Sequence, residues 1–237
     1  MAALCPSLIG PALCQSVDIY CERTSAAFFA EPLNAVSNLA FIIAGWVAWQ
    51  EFWRSQSPHD DALLAAIIAI IPIVGIGSFA FHTLATGWAQ WADVIPILIF
   101  MLLYLWLAMR RYVGWSRVLS SLALLVFALA TLALETRVPA QFLWGGAMYL
   151  PTVAVCLAIA LAPIDVDRRV RRTIAIAVSL FVFGFTLRSL DAPMCTALPI
   201  GMHYFWHISN ATVLYLFVHA AILHGRRRPQ NAQLRTA

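Results

Sequence analysis

The chain has 237 residues, 62% of them hydrophobic and only 11% charged, with a formal net charge of +4. That balance is too apolar for a water-soluble domain of this length, so the bilayer is the expected solvent. Every cation is an arginine, and the absence of lysine excludes a retinal protein, whose Schiff base requires one.

In chain order, residues 1–32 read as an extramembrane N-terminal segment. They lack the charged start, long apolar core and small-residue cleavage site of a removed signal peptide, so the first apolar run is expected to direct insertion. Asp18, Glu22 and Glu31 fall close together here. They suit either a solvated acidic loop or a calcium site, since calcium takes about six to eight oxygen ligands from carboxylates and carbonyls.

Apolar runs of about 20 residues, enough to cross the hydrocarbon, lie near 33–53, 61–82, 92–109, 118–134, 142–162, 173–189 and 201–223. They predict an all-α bundle of seven transmembrane helices in a single domain spanning 1–237, with 224–237 as a cytoplasmic tail. Polar or proline-containing breaks separate them, such as Ser57-Pro58-His59-Asp60-Asp61 and Val138-Pro139. The chain shows no internal repeat and no nucleic-acid motif, and its oligomeric state is not readable.

Arginine asymmetry gives the orientation. Arg54, Arg110, Arg111, Arg117, Arg168, Arg169, Arg171, Arg172 and the tail arginines share one side, while Arg23, Arg137 and Arg188 fall on the other. The amino terminus is therefore expected outside and the carboxyl terminus in the cytoplasm. Arginine-only basic usage and alanine-rich helices suggest a bacterial inner membrane, with the outer face towards the periplasm. On that oxidising side Cys21 and Cys195 precede the first and last spans and form a candidate disulfide; Cys5 and Cys14 stay unassigned. Cys156 reads as a small buried hydrophobe inside the fifth span.

Ionisable side chains inside spans are costly and point to function. His82 closes the second span, with Ser78 one turn earlier on the same face. Asp93 opens the third. The last span starts His203-Tyr204-Phe205-Trp206-His207, an i, i+4 pair that turns two imidazoles to one side, as in helical zinc sites. Any one such histidine is more often a hydrogen-bonded helix-end residue, but the topology puts all five polar groups in one outer layer. Three imidazoles leave a fourth position on zinc for a water, with Asp93 as proton acceptor and Ser78 as a donor. A single haem is disfavoured, because i, i+4 histidines cannot sit on opposite sides of one iron. His219 and His224, at the other end of the last span, need only interfacial solvation.

Three blocks resemble the alkaline ceramidase family, within the CREST superfamily of seven-helix membrane proteins. They are Asp18-Ile19-Tyr20-Cys21-Glu22 with Glu31 to Asn38, Gly77-Ser78-Phe79-Ala80-Phe81-His82 with Asp93, and Gly201-Met202-His203 through His207. The resemblance implies a zinc amidohydrolase that cleaves ceramide-like N-acyl lipids to a sphingoid base and a fatty acid. It also implies zinc on His82, His203 and His207, with Ser78 and Asp93 beside it, a Cys21–Cys195 disulfide, and calcium held by Asp18, Tyr20, Glu22 and Glu31. The calcium pattern departs in two places: Asp18 is shifted by one residue relative to Cys21, and Thr24 stands where an asparagine is expected. The substrate could be ceramide, a dihydroceramide or another N-acyl lipid. The triad alone also suits a receptor-like relative with weak or no turnover; the amino-terminal block favours the enzyme.

Overall fold

The computed structural model describes residues 10–55, 61–139, 146–161 and 166–225. Cys5, most of the 57–61 break, the edges of the fifth span and the tail arginines lie outside the described residues.

Among the described residues the chain is all-α. The helices are α1 (Pro32–Ser37), α2 (Leu39–Arg54), α3 (Ala62–Leu84), α4 (Gly87–Ala108), α5 (Arg117–Arg137), α6 (Leu150–Leu161), α7 (Arg168–Met194) and α8 (His203–Gly225). Six segments are long and apolar enough to cross a membrane: 32–54, 62–84, 87–113, 117–137, 168–194 and 203–225. The fifth expected span, 142–162, corresponds to a shorter apolar helix over Ala147–Leu161.

Local chemistry sets the helix ends. Asp61 caps α3 by accepting from the Leu64 N–H at 3.1 Å, and its carboxylate also pairs with Arg111 at 2.5 Å, tying the starts of α3 and the end of the α4 span together. Ser116 caps α5 and Asp167 caps α7 in the same way. α3 stops at Ala85, which adopts a left-handed conformation with φ 46°.

Helices α4 and α7 outrun their expected spans: α4 begins five residues before 92, and α7 includes Arg168 to Arg172 at one end and Asp191 at the other. The hydropathic run marks only the part of a helix that meets hydrocarbon, whereas the backbone ladder continues into the interface.

The core is mostly apolar, and the outward faces are apolar as well. α5 exposes Leu122, Leu125, Leu129 and Leu132 along one face, and Trp46 and Ile76 are also exposed. The buried set includes Glu31, Asn34, Asn38, Ser78, His82, Asp191, His203 and His207. Such a pattern suits helices whose outward faces meet lipid and whose polar groups satisfy one another inside. Close helix approach rests on small residues: a Cβ on Gly45 would meet the Pro72 ring at 2.7 Å, and one on Gly184 would meet Ser209 Oγ at 2.0 Å.

The N-terminal segment is drawn across one end of this bundle. Val17 N–H donates to the Ala85 carbonyl at 2.8 Å and Gly87 N–H to the Gln15 carbonyl at 3.1 Å, pinning it to the α3–α4 connection. A Cys21–Cys195 disulfide ties it to the end of α7. The ends of α3 and α7 and the starts of α1, α4 and α8 therefore converge beneath residues 15–31.

Candidate metal centre

At that end the three histidines meet. His82 comes from the last turn of α3, and His203 and His207 from the first turns of α8. Their ring centroids are 5.1 Å (His82 to His203), 4.7 Å (His82 to His207) and 4.6 Å (His203 to His207) apart. One nitrogen from each lies within 4.8 Å of the others, and all three residues are buried.

Hydrogen bonds on the far nitrogens fix which ring atoms carry lone pairs. His82 Nδ1 is 2.6 Å from Glu31 Oε2, so it donates to the carboxylate and leaves Nε2 as the lone-pair atom. His207 Nδ1 is 2.7 Å from Ser37 Oγ, whose only hydrogen goes to the Asn34 carbonyl at 3.0 Å. With that hydrogen on Asn34 the ring donates to Ser37 Oγ, which puts its lone pair on Nε2. His82 Nε2 and His203 Nδ1 are buried without a hydrogen-bond partner among the described residues. Orphaned buried nitrogens with oriented partners behind the rings are what a metal site requires, so the residues present fit a divalent ion such as zinc.

Ser78, near the end of α3, and Asp93, near the start of α4, lie at the same end of the bundle as the triad. Ser78 is buried one turn before His82, and Asp93 Oδ1 is buried and unpartnered among the described residues. Their proximity depends on Gly77, where a Cβ would lie 2.0 Å from the Ala92 carbonyl oxygen.

Asp191 builds the start of α8. Its Oδ1 accepts from the Met202 N–H at 2.5 Å and the His203 N–H at 2.9 Å, and its Oδ2 from the Cys21 N–H at 3.1 Å. Gly201 turns the chain into this cradle with φ +69°, and a Cβ there would sit 2.3 Å from Asp191 Oδ1. Tyr20 stacks on His203 with ring centroids 3.7 Å apart.

A cavity of about 710 Å³ opens beside the histidines. Its walls include Asp18, Tyr20, Asp93, Glu135, Arg188 and His203. A second, almost wholly apolar slot shares Ile97 and Tyr149 with this cavity and runs on past Phe100, Phe127 and Phe217.

Among the described residues Asp18, Glu22 and Glu31, expected with Tyr20 to hold calcium, do not form a group of three acidic ligands around one point. Among the described residues the histidines are the one group of three or more potential metal ligands drawn from His, Cys, Asp and Glu. Glu22 instead accepts from the Leu33 and Asn34 N–H groups at 2.7 and 2.8 Å, neutralising the start of α1. Asp18 is exposed at the cavity, and Tyr20 is stacked on His203. Glu31 is consumed by Arg23, His82 and Asn34. Burial would raise the Glu31 carboxyl, but hydrogen bonds from His82, Asn34 and Arg23 outweigh it and hold the group below its ordinary value.

Sequence reasoning placed Arg23 and Arg188 among the outer charges only. The structure buries Arg23 beside Glu31 and sets Arg188 in the cavity wall, over the Tyr149 ring at 5.5 Å and electrostatically coupled to Asp93 and Tyr20. Arg188 carried a signal, being ionisable within a span. Arg23 carried none, because only the folded path of residues 20–31 brings it under His82.

A family model described as Ceramidase matches residues 16–234. No curated protein matches the chain.

Proposed function

We propose, given that the chain belongs to the ceramidase family, that it is a zinc-dependent amide hydrolase acting on ceramide or a similar N-acyl lipid. Membership itself implies a ceramidase-type hydrolase with a lipid substrate, and the six apolar helices indicate a multi-pass membrane protein. The observation that carries the finer reading is the buried histidine triad facing Asp93 and Ser78.

Zinc held by His82, His203 and His207 would polarise the amide carbonyl and lower the pKa of a water towards ~7. Asp93 accepts a proton from the attacking water through its unpartnered Oδ1, while the Ser78 hydroxyl donates its one hydrogen to the developing oxyanion. The water oxygen bonds to the acyl carbon and the carbon–nitrogen bond breaks. Asp93 returns its proton to the departing nitrogen, giving a fatty acid and an amine.

The cavity suits the polar part of the lipid. The apolar slot beyond Ile97 and Tyr149 suits the acyl chain, because almost all the surface it exposes is apolar.

Seven crossings are the topology we favour. Glu135 near the end of α5, Met148 and Tyr149 before α6, and Arg188 near the end of α7 all line one cavity. That shared lining supports 147–161 as the stretch that carries the chain from the site end back to the start of α7. With the arginine asymmetry this supports an amino terminus and a site on the outer face, periplasmic in a bacterial inner membrane.

The test is mass-spectrometric detection of free fatty acid from a panel of ceramides, dihydroceramides and N-acyl amino-acid lipids. Release from at least one amide lipid is expected. Release from none, by protein shown to hold zinc, would favour a receptor-like role.

A further inference from the structure

We infer that Arg23 is a built-in cation that positions His82 through Glu31, so that this site needs no calcium; the inference rests on the zinc reading above. Arg23, Glu31 and His82 have side chains only 3%, 4% and 0% exposed. Within that buried cluster the guanidinium is surrounded by oxygens: Nε donates to Glu31 Oε1 at 2.5 Å, Nη2 to the His82 carbonyl at 3.0 Å and Nη1 to the Ser25 carbonyl at 3.4 Å. Carboxylate and carbonyl oxygens are also the ligands a hard divalent cation selects. Here a side chain supplies the positive charge in their midst, and neither Asp18 nor Glu22 turns towards it.

The contacts form a continuous line from Arg23 to the triad. Arg23 holds one oxygen of Glu31, leaving Oε2 to accept from His82 Nδ1 at 2.6 Å and from Asn34 Nδ2 at 3.0 Å. It also grips the backbone of His82 itself. Both the ring and the main chain of this ligand are therefore referred to one guanidinium. Arginine suits the task because it stays charged when buried and its planar fork reaches a carboxylate and carbonyls at once. Removing it would leave Glu31 as a buried charge with only neutral donors, free to pull the His82 ring out of line. Arg23 touches neither the cavity nor the reacting atoms in this arrangement and is a positioning residue.

The experiment combines the unmodified protein with Arg23→Lys and Arg23→Gln, all in detergent. Fatty-acid release is measured with calcium buffered from nanomolar to millimolar while free zinc is held constant, and zinc affinity is measured by competition with a chromophoric chelator. The parent should bind zinc and show activity flat across the calcium range. Arg23→Gln should lose about 10–100-fold in zinc affinity, the usual effect of removing a group behind a ligand, and should lower kcat with KM little changed. Arg23→Lys, which keeps the charge, should recover part of both. If the parent requires added calcium, or Arg23→Gln binds zinc as the parent does with unchanged kcat, the inference is overturned while the zinc reading stands. A parent that binds no zinc overturns both. The calcium titration needs no variant, so it decides the matter even if Arg23→Gln fails to fold.

Discussion

Gly77 and Ala92 meet backbone to side: a Cβ on Gly77 would lie 2.0 Å from the Ala92 carbonyl oxygen and 2.7 Å from its carbon. This contact brings the start of α4 against the last turns of α3 and so sets Asp93 beside Ser78. Gly77→Ala should cost about 1–3 kcal/mol through overpacking against a rigid backbone. A displacement near 1 Å at Asp93 should lower kcat by about 100-fold. Thermal unfolding and fatty-acid release on the same preparation check both; unchanged kcat would show that the close approach does not set the site.

Asp93 has one oxygen, Oδ1, buried without a partner among the described residues. Asp93→Asn keeps the shape and removes the proton acceptor. Fatty-acid release should fall by about 100- to 10,000-fold, the usual range for a positioned base, with zinc content at the parent level. Undiminished turnover would remove Asp93 from the mechanism.

The triad was legible because its signals are local. The i, i+4 spacing of His203 and His207 fixes them on one helix face, and the count of spans places His82 at the same end. Ser78 and Asp93 followed from helical spacing and a short connection. The groups behind the ligands were hidden, since Arg23 finds Glu31, and Glu31 finds His82, only after residues 15–31 fold across the bundle. Asp191 was missed because the apolar run ends near 189 while α7 continues to Met194. The acidic residues before α1 looked like one cluster in sequence. In space Glu22 caps a helix and Glu31 answers an arginine, because a buried carboxylate takes the nearest strong donor.

Asp191 accepts from three backbone N–H groups, those of Cys21, Met202 and His203. Asp191→Ala leaves them buried or half-buried without that acceptor, at about 1–3 kcal/mol for each one that stays unsatisfied. The midpoint of thermal unfolding should fall, and zinc should be lost more readily as the start of α8 loosens. Asp191→Asn retains one oxygen and should show a smaller fall. Equal stability in all three proteins would contradict the role given to this carboxylate.

The central claim is that His82, His203 and His207 hold the zinc that drives amide cleavage. Purified protein and its His203→Ala variant should be assayed side by side, with zinc quantified by plasma mass spectrometry and fatty-acid release followed from a cleaved amide lipid. About one zinc per chain is expected in the parent, with loss of the metal and of lipid cleavage in the variant. Cleavage by the parent without zinc, or undiminished cleavage by His203→Ala, would contradict the account.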